Sequence, residues 1–322
     1  MNVRWFWWFR TLTIQVITFF VVLFLIFSLV YMAGGTTILP VDRTPGRAKP
    51  VARPHKPQAR ELPGAYLRWL GNAFQLDFGR SLVSRQPVNK LIFDRLKNSI
   101  LLNIYAFTLM LGAGITIGII IAFRSRHDTH PVEWFLYVLY AIPDFVLGIL
   151  LLSIFSFELG WFPSHGLQGL DPAASSGVSF WRTVYFMTLP AFTLAASGVV
   201  FLARFTKTSV MELMDAPFVF AMRSRGLSSR LILYRVFRNS LIPFMTLSGF
   251  LIPALVGGSV VVESLFSFPG VGKTFYDAVL IRDYPIILAI TMIDTAFVYI
   301  GLALSAIFVR IADPRTRYEV AR

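Results

Sequence analysis

Apolar windows of about 20 residues, each long enough to cross roughly 30 Å of hydrocarbon, recur along this 322-residue chain at about 12–33, 99–123, 134–157, 184–205, 239–262 and 285–309. A backbone in hydrocarbon must satisfy its own N–H and C=O groups, so windows of this length fold as helices. Composition agrees: 56% of the residues are hydrophobic and 15% charged, against about a quarter charged for an ordinary soluble chain. The fold class expected is an all-α integral membrane protein with six transmembrane helices. The first window follows Arg10 and exceeds the apolar core of a secretory signal, roughly 7–15 residues, so it is read as an uncleaved span.

Orientation follows from where Lys and Arg fall. With the N-terminus inside, internal segments hold Arg4, Arg10, Arg124, Arg126, Arg204, Lys207, Arg223, Arg225, Arg230, Arg235, Arg238, Arg310, Arg315, Arg317 and Arg322. The external loops after the third and fifth windows hold only Arg182, Lys273 and Arg282. Residues 34–98 dissent with twelve basic residues, but the charge rule weakens for loops of about 60 residues or more. Both termini are therefore expected in the cytoplasm of a multi-pass cell (inner or plasma) membrane protein. The net charge of +13 speaks to topology and lipid contact before nucleic acid, and no nucleic-acid motif interrupts the spans. The absence of cysteine excludes disulfides, thiolate metal sites and cysteine nucleophiles. Neither a metal nor a cofactor is expected, since all four histidines lie between the windows.

Two domains are expected: residues 1–98, the first span plus an external loop region, and residues 99–322, a five-helix core. In the loop, 40–64 holds Pro40, Pro45, Pro50, Pro54, Pro57 and Pro63 among basic residues and too few large apolar ones to fold alone, so a flexible linker is expected there. From Tyr66 onward Leu67, Trp69, Leu70, Phe74, Leu76 and Phe78 return at helical spacings, which predicts packing on the outer face.

The most informative stretch is residues 211–243, too polar to span, in which Phe218, Phe220, Met222 and Leu227 alternate with Arg223, Arg225 and Arg230. Two readings are open: an interfacial amphipathic helix with arginines toward lipid phosphates, or a short helix ending at Gly226 and docked into a partner's groove.

Short motifs in order along the chain carry a resemblance. They are Tyr-Leu-Arg-Trp-Leu-Gly at 66–71, Asp77-Phe78-Gly79-Arg80-Ser81-Leu82, Ile142-Pro143-x-Phe145, Gly160-Trp161-Phe162-Pro163 and Leu189-Pro190-Ala191. Then come Arg223-Ser224-Arg225-Gly226-Leu227, Arg238-Asn239-x-Leu241-Ile242-Pro243, Glu263-x-x-Phe266-Ser267-Phe268-Pro269-Gly270-Val271-Gly272, Asp283-Tyr284-Pro285 and Asp313-Pro314-Arg315. Over nearly its whole length the chain resembles a permease subunit of the oligopeptide/dipeptide/nickel class of ABC importers. The resemblance implies half of a translocation pathway and a cytoplasmic coupling helix at about 215–227. The implied partners are a second, homologous permease, two ABC ATPases that bind ATP and Mg, an extracytoplasmic substrate-binding protein and the lipid bilayer, with no nucleic acid. No catalysis and no bound cofactor are implied for this chain. The substrate stays open between oligopeptides or dipeptides, nickel chelates and other small solutes. The coupling residues implied are Asp215, Phe218, Phe220, Ala221, Met222, Arg223, Arg225, Gly226 and Leu227. The family's Glu-Ala-Ala is replaced by Phe220-Ala221-Met222, which predicts apolar docking with Arg223 and Arg225 at the rim.

Ser267 to Thr274 ends like a phosphate-binding loop, but its first glycine is Ser267 and Pro269 removes a donor, so it is not read as a nucleotide site. Gly114, Gly118 and Ala122, and likewise Gly249, Pro253 and Gly257, recur every four residues and predict close helix packing. Asp144 and Asp294 are the acids well inside the windows, where a carboxylate costs about 3 kcal/mol on insertion scales, so each must face protein or water. Asp144 either caps the helix restarting after Pro143 or lines the path, and Asp294 has the same two readings with less local support. An ion-coupled secondary transporter would also use such acids, but the internal repeat usual for that class is not visible. A membrane hydrolase lacks its Gly-x-Ser-x-Gly or His-Glu-x-x-His.

Overall fold

A computed structural model describes residues 3–34, 59–124, 131–164, 180–240 and 259–312. Regular structure among the described residues is helical, apart from an isolated antiparallel bridge between Arg80 and Pro87. The helices are α1 Val3–Gly34, α2 Leu62–Phe74, α3 Val88–Arg124, α4 Pro131–Ala141, α5 Asp144–Leu151, α6 Phe180–Met214, α7 Pro217–Ser224, α8 Ser229–Ser240, α9 Val260–Leu265, α10 Val271–Leu280 and α11 Tyr284–Ala312.

Four of these, α1, α3, α6 and α11, are long and apolar enough to cross a membrane, and α4 with α5 makes a fifth candidate as a bent pair. Most of the window at 239–262, including Gly249, Pro253 and Gly257, lies outside the described residues, as do most of the proline-rich segment and the Asp313-Pro314-Arg315 motif. The window at 134–157 is not one straight helix. α4 and α5 meet at 102° because Pro143 supplies no N–H and holds the residue before it out of the helical region. α5 then continues as a π-helical stretch, Leu152–Glu158.

α3 and α6 form the central pair and run in the same direction. Leu102 packs near Met187 and Ala191, Gly114 meets Leu202, Gly118 meets Ala203 and Thr206, and Ala122 clusters with Val210. A chain can leave α3 and enter α6 in parallel only by returning along the bundle between them, and the broken pair makes that return. Its first half sits beside the end of α6, where Leu136 packs on Val200 and Ala203. Its second half reaches the start of α6, where Leu152 packs with Leu189 and the Tyr185 hydroxyl donates to the Trp161 carbonyl.

The close approach of α3 to α6 explains the four-residue glycine spacing. A Cβ on Gly118 would stand 2.5 Å from the Ala203 carbonyl oxygen, and one on Gly114 would stand 2.8 Å from Leu202 Cβ. Gly118→Val should therefore separate the two helices and lower the yield of folded protein and its thermal unfolding temperature. Gly112→Ala, where a Cβ would meet nothing within 4 Å, should do neither. Equal stability of the two variants would refute this packing.

At the end of the bundle where α3 begins, α2 lies against α1. Trp69 and Tyr66 pack on Phe27, with ring centroids 5.4 and 5.5 Å away, and the Tyr66 hydroxyl donates to the Phe20 carbonyl. Leu67, Phe74 and Leu76, also expected on the packed face, are exposed: spacing puts Leu67 and Phe74 on the other side of a helix that buries Leu62, Ala65, Tyr66, Trp69 and Ala73, and Leu76 lies in the turn beyond its end. α3 is continuous through residues 98 and 99, and it reaches 37 residues, about 55 Å at 1.5 Å per residue. It thus extends well past a hydrocarbon core of roughly 30 Å.

Candidate functional site

The 215–227 segment folds into the short helix α7, closed at both ends by local chemistry. Ala216 is its extended N-cap residue and Pro217 occupies the first turn, where its missing N–H costs nothing. At the other end Gly226 has φ +71°, its N–H donates to the Arg223 carbonyl at 2.9 Å, and the Leu227 N–H reaches the Met222 carbonyl at 3.2 Å. This pair of bonds is a Schellman motif, which needs the left-handed residue that glycine adopts without strain.

α7 has two unlike faces. Val219 and Met222 are buried with Ala122 of α3, Val210 of α6 and Ile232 and Val236 of α8, and Leu227 packs on the same cluster. Phe218, Phe220, Ala221, Arg223 and Arg225 are exposed, Phe220 by 76%. Met222, expected beside Phe218 and Phe220 on an outward surface, instead faces inward. The spacing 219, 222 returns to one side of a helix, whereas 218, 220 and 222 share a side only in a strand. Val219, which the sequence reading passed over, is the other inward anchor. Asp215 is exposed just ahead of the helix.

Asp144 and Asp294 sit on helices with different neighbours. Asp144 lies in the first turn of α5, exposed in this chain, with Pro143 rather than Asp144 as the N-cap residue. A carboxylate there still complements the helix N-terminus. Asp294 lies in α11, and its Oδ1 is buried without a hydrogen-bond partner among the described residues. α5 packs on α6 and α9, whereas α11 packs on α1, α3 and α10.

Two further carboxylates, present in the sequence reading only as motif letters, are fully buried at the end where α3 begins. Glu263 accepts from the Ser99 hydroxyl at 2.8 Å through Oε1 and from the Lys273 N–H at 3.0 Å through Oε2. Ser99 Oγ in turn accepts from the Val271 N–H at 2.8 Å, and Asn98 Nδ2 donates to the Pro269 carbonyl at 2.9 Å. The turn that resembles a phosphate loop thus folds around the chain's own Glu263 carboxyl group, set at the start of α10. A Cβ on Gly270 would collide with Glu263 and Ser99, so that glycine is required by close approach. Lys273, the apparent phosphate lysine, pairs with Asp277 at 2.7 Å.

Asp283, just before α11, accepts from the Ser81 hydroxyl at 2.5 Å and from the Leu82 N–H at 3.2 Å. Ser81 Oγ also accepts from the Ser84 N–H at 2.9 Å. The Asp77 to Leu82 motif and the Asp283-Tyr284-Pro285 motif are therefore two halves of one clasp, 202 residues apart in sequence. A spacing that long leaves no local signal. No cluster of three or more metal-ligating side chains occurs among the described residues.

Four helices long and apolar enough to cross a bilayer, a bent apolar pair and a short amphipathic helix folded against the ends of three others are the features of a multi-pass membrane protein. The chain belongs to the family described as binding-protein-dependent transport system inner membrane component, whose pattern matches residues 114–318. It is 36% identical over 257 residues to the oligopeptide transport system permease protein AppB of Bacillus subtilis, covering 79% of this chain and 80% of that one. To a putative peptide transport system permease protein of Brucella abortus it is 37% identical over 256 residues, 78% of this chain and 79% of that one. To the glutathione transport system permease protein GsiC of Escherichia coli it is 31% identical over 307 residues, 94% of this chain and 95% of that one.

Proposed function

We propose that this chain is the transmembrane permease subunit of an ATP-driven importer of peptides, forming half of the translocation pathway and performing no chemistry itself. The observation that carries the peptide substrate is the similarity to relatives named for oligopeptide and peptide transport, at 36% and 37% identity over more than three quarters of the chain. A second permease supplies the other half of the path, an external binding protein delivers the peptide, and two ATPases bind ATP and Mg and close. α7 is the coupling helix. Its exposed Phe218 and Phe220, rimmed by Arg223 and Arg225, suit an apolar cleft on an ATPase. Its buried Val219 and Met222 tie it to the ends of α3, α6 and α8, so displacement of α7 moves the spans. Uptake by the reconstituted five-protein assembly tests the substrate: labelled oligopeptides should accumulate with ATP, and accumulation of nickel chelates alone would overturn the reading.

The N-in, C-in orientation rests on the distribution of Lys and Arg between the windows, and the sixth span is supported by the ends of α8 and α9. These stand at opposite ends of the bundle and are joined by the apolar window 239–262. Because the chain has no cysteine, single cysteines report sidedness cleanly. Ser228→Cys should react with an impermeant thiol reagent only from the cytoplasm, and Ser84→Cys only from outside. Labelling of Ser84→Cys from the cytoplasm would reverse the orientation.

Asp144 and Asp294 line the path in this reading. The exposure of Asp144 at the break between α4 and α5 supports its facing a water-filled route rather than lipid. Asp144→Asn keeps the shape and removes the charge. It should change the KM or rate for cationic peptides several-fold while assembly is preserved, and unchanged kinetics would leave Asp144 a purely structural helix-start residue.

A further inference from the structure

α8 carries an arginine face that no acid of its own segment answers. Its inward side buries Ile232 and Val236 against Ala122 at the end of α3 and Val210 near the end of α6. At helical spacing, positions 230, 231, 234 and 238 fall on the other side and 235 on its edge. All five side chains are exposed, Leu231 by 39% and Tyr234 by 61%. The stripe therefore alternates Arg230, Arg235 and Arg238 with one aliphatic and one aromatic group. No aspartate or glutamate occurs from residue 216 to residue 262. Among the described residues no salt bridge holds these three arginines, and Arg235 Nη1 donates a hydrogen bond to the Met222 sulfur at 3.6 Å. α8 also leads straight into the apolar segment that begins at Leu241, so its level in the bundle is where hydrocarbon gives way to headgroups.

We propose that this face of α8 binds the phosphodiester headgroups of acidic phospholipids in the leaflet that borders it. Guanidinium groups match phosphate oxygens with paired hydrogen bonds. Their long stems lie along apolar surface while the charge stays at the interface, and tyrosine is at home at headgroup level. Leu231 and Tyr234, set between the arginines, would be out of place on a purely aqueous face but suit the upper acyl region. An acidic protein surface would satisfy the charges but not this alternation. The inference depends on the transporter reading only for which leaflet is meant, since headgroup binding itself requires neither ATPases nor substrate.

The test uses the assembled transporter in nanodiscs of phosphatidylethanolamine with or without phosphatidylglycerol, with retained lipid measured by native mass spectrometry. The wild type should retain phosphatidylglycerol in preference to phosphatidylethanolamine, and the preference should weaken as salt is raised. At about fivefold per arginine near an anionic surface, Arg230→Gln/Arg235→Gln/Arg238→Gln should retain it on the order of 100-fold less well. The corresponding triple lysine variant should keep part of the preference, since the charge stays while the paired hydrogen bonds are lost. Co-purification of the second permease with each variant shows that the fold survives. Equal retention of the two lipids by wild type, or undiminished phosphatidylglycerol retention by the glutamine variant, would overturn the proposal. Release of the ATPases with lipid retention unchanged would overturn it in favour of a protein partner for the stripe.

Discussion

Glu263→Ala should prevent the transporter from assembling, or lower its unfolding temperature more than substitution at any exposed residue of the chain. The carboxylate has no solvent exposure, and its two oxygens receive the Ser99 hydroxyl and the Lys273 N–H. Alanine leaves these donors buried and unanswered, at about 1–3 kcal/mol each, and adds a cavity between α3, α9 and the start of α10. The two donors together, roughly 2–6 kcal/mol before the cavity is counted, rival the whole margin of many folded domains. Glu263→Gln keeps one acceptor but turns an amide N–H toward donors, so it should fall between the two. Gly270→Ala should resemble Glu263→Ala, because its Cβ would occupy the space of the carboxylate and of Ser99. Thermal unfolding of the purified assembly decides this, and a Glu263→Ala protein as stable as wild type would show that the network is not a structural keystone. Lys273→Ala separates the two meanings of the 267–274 turn. If the turn served nucleotide, Lys273→Ala would abolish function while leaving stability intact, whereas here Lys273 holds only an exposed pair with Asp277, worth about 0–1 kcal/mol.

The sequence made the apolar elements legible and left the polar ones obscure, for physical reasons. Hydrophobic windows report where lipid surrounds a helix, so α1, α3, α6 and α11 stand where the windows are. Windows are silent about helix beyond lipid, and α3 therefore begins at Val88 although its window begins near 99. They are equally silent about a bend inside an apolar run. Pro143 is the one local sign of the α4–α5 break, and Pro190, inside α6 without a comparable break, shows that proline alone does not decide. The Gly114 and Gly118 spacing was readable because small residues four apart have one principal use in a membrane, the close approach of a second helix. Glu263 and Asp283 were visible only as letters in motifs. Their partners Ser99 and Ser81 lie 164 and 202 residues away, and nothing in a single sequence links a carboxylate to a hydroxyl at such distance. In α7 the end was readable from Gly226, while its inward face was misjudged through Met222, since the apolar residues of the segment were all assigned to one outward surface before the helix register was known.

The largest functional effect expected is at that helix. Phe220 is 76% exposed and packs on none of the clusters that hold α7 in place, so Phe220→Asp should leave the spans inserted and the second permease bound. If Phe220 fills an apolar cleft on an ATPase, a buried aspartate there costs about 2–4 kcal/mol of binding, roughly 30- to 1000-fold in affinity. Transport should fall to background, with ATPases lost on purification or hydrolysing ATP without moving peptide. Gly226→Val reaches the same end by another route. Valine at φ +71° is strained by about 1–2 kcal/mol, and the two closing bonds from Gly226 and Leu227 cannot both form without that conformation. The cap would fray and re-aim Arg223 and Arg225 while Val219 and Met222 still anchor the first turns. Met222→Ala serves as the contrast, because it empties a buried site shared with α3, α6 and α8 and should lower stability by about 2–5 kcal/mol as well as transport. ATPase co-purification, peptide-stimulated hydrolysis and thermal unfolding, measured together on the three variants, separate these outcomes. Normal transport and full peptide-stimulated hydrolysis in both Phe220→Asp and Gly226→Val would remove α7 from the coupling path.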